Sequence, residues 1–107
     1  MARLKTQSRV GPDIPEVTEA LAAYIESHPK AQLRSYRQNS AAIRVRLIDP
    51  SFRDLDRVER HDLIWGYLRS MPEDILSDLT ILLLLTPEEV EGSLANFDFD
   101  RPIPSDL

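Results

Sequence analysis

The chain has no cysteine, only three glycines, and no run of large aliphatic residues longer than the five of Ile81–Leu85. Each shortage excludes something. Without cysteine there are no disulfides, no thiolate zinc site, no cysteine nucleophile and no cysteine-ligated iron–sulfur cluster held by this chain alone. The glycines stand at 11, 66 and 92. They form neither a phosphate-cradling loop nor the Gly-x-x-Gly loop with which KH domains grip a nucleic-acid strand. An aliphatic run of five falls far short of the roughly 20 residues that a membrane-spanning helix needs. Met1–Pro15 lacks the apolar stretch of a secretory signal. The expectation is a cytoplasmic protein with no membrane partner.

At 107 residues and 42% apolar composition, the chain is one small globular domain. Its formal net charge is −5, but the average hides a split. Residues 31–61 hold seven arginines against four acids, or +3, and residues 62–107 hold two against ten, or −8. A basic middle is followed by an acidic end.

Residues 1–12 show no hydrophobic period and read as a flexible leader. Val17, Leu21, Tyr24, Ile25 and His28 then mark one face of a helix that Pro29 stops. Ala31–Arg37 and Ala42–Ile48 flank the turn chemistry of Gln38-Asn39-Ser40, which makes a hairpin. The second strand alternates, with Ile43, Val45 and Leu47 on one side and Arg44 and Arg46 on the other. A long helix is expected from about Asp54 to Ser70, burying Val58, His61, Ile64, Trp65, Leu68 and Met71. Thr80–Leu85 reads as a third strand. Thr86-Pro87-Glu88-Glu89 is a capping box that predicts a short helix to about Leu94.

The order is α-β-β-α-β-α, and the class is α+β. A hairpin followed by a right-handed crossover gives a three-stranded mixed sheet with helices on one face. Residues 13–95 form the domain. Residues 96–107 read as an acidic tail; folding back onto the basic sheet face and binding a partner are the alternatives.

Three segments at the joints of that order carry a family likeness. Val45–Phe52 looks like a second strand running into a Phe-bearing loop. Arg57-Val58-Glu59-Arg60-His61 gives an Arg-x-x-Arg-His start to the long helix. Leu79–Glu89 gives a last strand closed by Thr-Pro-Glu-Glu. Together they resemble the BolA family over residues 14–94. The resemblance implies a fold like the type II KH domain. It also implies partnership with a monothiol glutaredoxin around a shared [2Fe–2S] cluster and, in some members, DNA binding and transcriptional control. The family's ligand position at the start of the last strand falls on Asp78 here, and the ligand-bearing loop on Gln38–Ser40. A carboxylate is a poor donor for a soft iron–sulfur site, so no cofactor is expected in this chain alone.

His61 is the one candidate cofactor ligand, set against the plainer reading of a hydrogen-bonded helix histidine. Arg34, Arg44 and Arg46, with alternate residues of the last strand, are candidates for an interaction face. Leu82 and Leu84 are the set chosen over Ile81, Leu83 and Leu85. Arginine mixed with exposed leucine suits a protein interface, with another protein or a second copy. Arg44, Arg46, Arg53, Arg57 and Arg60 would serve the alternative, phosphate contacts in a nucleic-acid-binding regulator. No serine elbow or carboxylate pair with a histidine in reach is present, so a binding module is expected and an enzyme is not.

Overall fold

The computed structural model describes residues 12–101. The leader before Pro12 and residues 102–107 of the expected tail lie outside the described residues. The expected class and order are present: a mixed three-stranded sheet of order β1-β2-β3, with helices in an α-β-β-α-β-α sequence.

The first helix arrives as two, α1 (Pro15–Ala20) and α2 (Ala22–Ser27), joined at Leu21. Strands β1 (Gln32–Asn39) and β2 (Ala42–Ile48) pair antiparallel, with Arg34 opposite Arg46 and Tyr36 opposite Arg44. A 3-10 turn over Pro50–Asp54 leads to α3 (Arg57–Leu68), the short α4 (Glu73–Ser77) and β3 (Leu79–Leu85). Strand β3 runs parallel to β2, as a crossover requires. After a second 3-10 turn over Pro87–Glu89 comes α5 (Leu94–Asp100).

One face of the sheet makes the core. Ile43, Val45 and Leu47 are fully buried there against Val17, Leu21 and Tyr24 of the first helices and Ile64 and Leu68 of α3. Phe52, on the 3-10 turn, closes the end of this layer. A buried polar contact sits at the rim. The Tyr24 hydroxyl donates to Asp49, whose other carboxylate oxygen accepts from the Ser51 N–H at 2.9 Å. Burial opposes ionisation of Asp49, but these hydrogen bonds outweigh it and hold the carboxyl below its ordinary range. Burial, reinforced by the same contact, raises Tyr24 well above the usual phenol value.

The long helix differs from expectation in start and phase. It begins at Arg57, because Asp56 caps it: Asp56 accepts from the Glu59 N–H at 2.8 Å and Glu59 returns the bond to the Asp56 N–H at 2.9 Å. Its buried stripe is Arg60, Ile64 and Leu68, an i, i+4, i+8 series. Val58, expected inside, is 68% exposed, and His61 is exposed too. Ile64 and Leu68 set the phase, and one step back along their row is Arg60.

The capping box forms, with the Thr86 N–H donating to Glu89 at 2.9 Å. It caps only one 3-10 turn. The helix it was expected to open is displaced to Leu94, where the Ser93 hydroxyl accepts from the Asn96 N–H at 3.0 Å. Helix α5 therefore crosses the boundary expected at 95/96. It lies against Tyr36, Arg44 and Arg46, on the sheet face opposite the other helices, so the expectation of helices on one face holds for α1 to α4 but not for α5.

Candidate functional site

The expected interaction face is divided. Arg44 donates to Asp98 at 2.8 Å, and Arg46 to Asn96 at 2.9 Å and Asp100 at 2.7 Å. The Arg46 guanidinium also lies over the Phe99 ring, 4.7 Å from its centre. The Tyr36 hydroxyl, raised in pKa chiefly by burial, donates to the Phe99 carbonyl at 2.8 Å. Both arginines are thus covered from within by α5. Arg34 is held at the margin by Asp13 at 2.9 Å.

Leu82 and Leu84 do not share this face, which corrects the choice made for β3. In the parallel register Val45 pairs with Leu82 and Leu47 with Leu84, so both leucines turn toward the core, beneath α3. Ile81 and Leu83 pair with Arg44 and Arg46. With every residue from 81 to 85 apolar, alternation carried no phase from which to choose.

Of the remaining arginines, Arg53 is paired with Glu88 in an exposed contact. Arg60 is buried and structural. Its Nε donates to the carbonyls of Phe52 at 3.1 Å and Leu55 at 3.0 Å, and its Nη1 to the Leu84 carbonyl at 3.2 Å and to Glu89 at 2.7 Å. These bonds hold the Glu89 carboxyl down at about 2, the Arg60 contact being the strongest cause. Arg57 is exposed and has no ion pair among the described residues.

His61 stacks on Trp65, with ring centres 6.0 Å apart and planes within 15°. Among the described residues no three His, Cys, Asp or Glu side chains gather as metal ligands. Asp78 is engaged by Arg37 at 3.0 Å. At the positions where the resemblance would put ligands, Asp78 and residues 38–40, this chain carries no histidine or cysteine, and His61 is the one imidazole in the groove lining.

What the structure does assemble is a groove along β3. That strand has β2 on one side and, among the described residues, no strand on the other. Arg57 and His61 overhang it from α3, and Gly92 to Ala95 overhang it from the opposite layer, enclosing about 790 Å³. The Leu85 carbonyl accepts from the Asp49 N–H at 2.9 Å, which turns it toward β2. Strand alternation therefore turns the N–H and C=O of Leu82 and Leu84 outward, into the groove. The Arg60 guanidinium satisfies the Leu84 carbonyl there. Among the described residues the Leu82 N–H and C=O and the Leu84 N–H have no partner and remain on offer. Leu94, on the rim, is 87% exposed.

No protein-family model matches the chain. No curated protein matches it either. The likeness to BolA rests on the three segments and the element order. Sequence reasoning missed the groove's parts for identifiable reasons. Arg60 reads as polar surface until its i+4 and i+8 partners are noticed, and Leu94 reads as the end of a helix that starts there instead.

Proposed function

We propose that this protein is a non-catalytic protein-binding module that receives its partner along the free edge of β3. The observation that carries this reading is the outer edge of β3, which pairs with no strand among the described residues and whose uncharged residues 82–85 floor the groove. Free edges recruit other strands unless they are covered or charged, and partner binding by strand addition uses that property. The exposed apolar side chain of Leu94, in the groove lining, fits the same reading.

The nucleic-acid alternative draws less support. Four of its five arginines, 44, 46, 53 and 60, already hold carboxylates of this chain, so little positive charge is left for phosphates. A monothiol glutaredoxin, the partner that the BolA resemblance implies, is the first purified candidate. With His61 the one imidazole on offer, complex formation is expected to leave the visible spectrum of its cluster unchanged.

The test is a photo-crosslinking side chain placed at Leu94, with Glu19, exposed on α1 and outside the groove lining, as control. The expected result is a discrete protein adduct at 94 and none at 19. The purified partner should then perturb the amide signals of Leu82 and Leu84 and keep its affinity in high salt. An adduct that nuclease removes, with binding that falls steeply in salt, would replace this reading with the nucleic-acid one. No adduct at 94 overturns it.

A further inference from the structure

Resting on that reading, we infer that the occupant of the β3 groove is a short extended segment with acidic and apolar side chains at alternate positions, added as a fourth strand. Three features of the groove argue for this chemistry.

The first is the pattern of backbone groups. Leu82 presents an N–H and a C=O in the same direction, and Leu84 presents an N–H. A strand residue opposite Leu82 can exchange both bonds, as in a hydrogen-bonded pair. Arg60 already occupies the Leu84 carbonyl and so marks one end of the site. The usable edge is a few residues long, which suits a peptide segment.

The second is the overhang. Side chains of α3 and of the segment before α5 rise on either side of the edge. A single strand enters such a slot. A second copy would bring its own overhanging layers against these.

The third is charge. The lining carries Arg57 and Arg60 against Glu89, a net +1 on a chain of net −5. Arg60 is committed to Glu89, whereas Arg57 has no ion pair among the described residues. Successive side chains of an added strand point to opposite layers. Those on the α3 side meet Arg57 and His61, where a carboxylate is favoured. Those on the other side meet Leu83 and Leu94, where an aliphatic chain is favoured. The slot therefore reads an apolar-acid-apolar alternation.

The experiment titrates the isotopically labelled full chain with three synthetic peptides: alternating leucine and aspartate, alternating leucine and lysine, and the first with its backbone amides N-methylated at alternate positions. The leucine–aspartate peptide should bind saturably, with the largest amide shifts at Leu82 and Leu84. Arg57→Ala should weaken it about tenfold, the loss expected for one charge-assisted contact, and Arg57→Glu should reverse the preference toward the lysine peptide. N-methylation should abolish binding without touching the protein, so the outcome does not depend on any variant folding. Equal binding of the aspartate and lysine peptides would overturn the acidic requirement. Indifference to N-methylation would overturn strand addition. Shifts at Leu82 and Leu84 that grow with protein concentration alone would make a second copy the occupant. That result overturns the inference while the protein-binding reading stands. No shift at these amides with any peptide also overturns it, and the adduct at position 94 then decides the broader reading separately.

Discussion

The two faces of the sheet are closed by opposite chemistry. On one, Ile43, Val45 and Leu47 meet an apolar layer of α1, α2 and α3 side chains. On the other, Tyr36, Arg44 and Arg46 meet Asp98, Asp100, Asn96 and a single aromatic ring, Phe99. Burial of apolar area drives the first face and stabilises it in proportion to the volume filled. The second depends on partly exposed ion pairs, each worth about 0–1 kcal/mol and weakened by salt. The two layers should therefore differ in how tightly they hold. The core face sets the global stability, and α5 is the element that opens first.

Breaking the core side should have the largest effect. Leu68→Ala removes a fully buried side chain and should cost about 2–5 kcal/mol, read as a lowered urea midpoint. Arg60→Met comes next. It keeps the stem but strands three carbonyls and Glu89, and the expected loss is about 2–3 kcal/mol. On the other side, Phe99→Ala should cost about 1–2 kcal/mol. The cost should also saturate: adding Asp98→Asn and Asp100→Asn to Phe99→Ala should change the global midpoint little more. No substitution in a docked element can cost more than the docking itself. Amide exchange that speeds up in α5 alone would confirm the asymmetry, and exchange that speeds up equally in β2 would refute it. The smallest effect is the pH dependence of Glu89. Its carboxyl is held at about 2, against an ordinary 4.5, chiefly by Arg60. Its contribution is complete above about pH 4.5 and is lost as pH falls toward 2. Glu89→Gln should flatten the acid limb of the stability curve across that window.

The same contrast explains what was legible in the sequence. The core face was legible because Ile43, Val45 and Leu47 alternate cleanly with Arg44 and Arg46, and the hairpin and crossover follow from local signals. The start of the long helix was set two residues early, at Asp54, because Asp54 and Asp56 have the same side chain and only the tertiary structure shows that Asp56 makes the cap. The α5 layer was legible only as an alternative: folding back onto the basic sheet face was one reading of residues 96–107, and its contacts to Arg44 and Arg46 bear that reading out over the acidic tail. A helix of seven residues has no intrinsic stability of its own. What holds it is a set of contacts 50 or more residues away in the chain. Alternation of Phe and Asp over residues 97–100 suggested a tail as readily as a helix. The phase of β3 was hidden by its own uniformity, and with it the choice between Leu82/Leu84 and Ile81/Leu83. The groove follows from both, since it exists where the last strand and the displaced helix meet.

The stacked pair on α3 has an optical consequence. Trp65 is the only tryptophan in the chain, and its neighbour His61 lines the groove. The indole's emission therefore reports on one place, without a dye or a label. A segment entering the slot must displace water beside His61, and the change in its contact with the indole appears as a shift in fluorescence. The molecule carries its own gauge of occupancy, readable at concentrations far below those at which strands begin to find each other unspecifically.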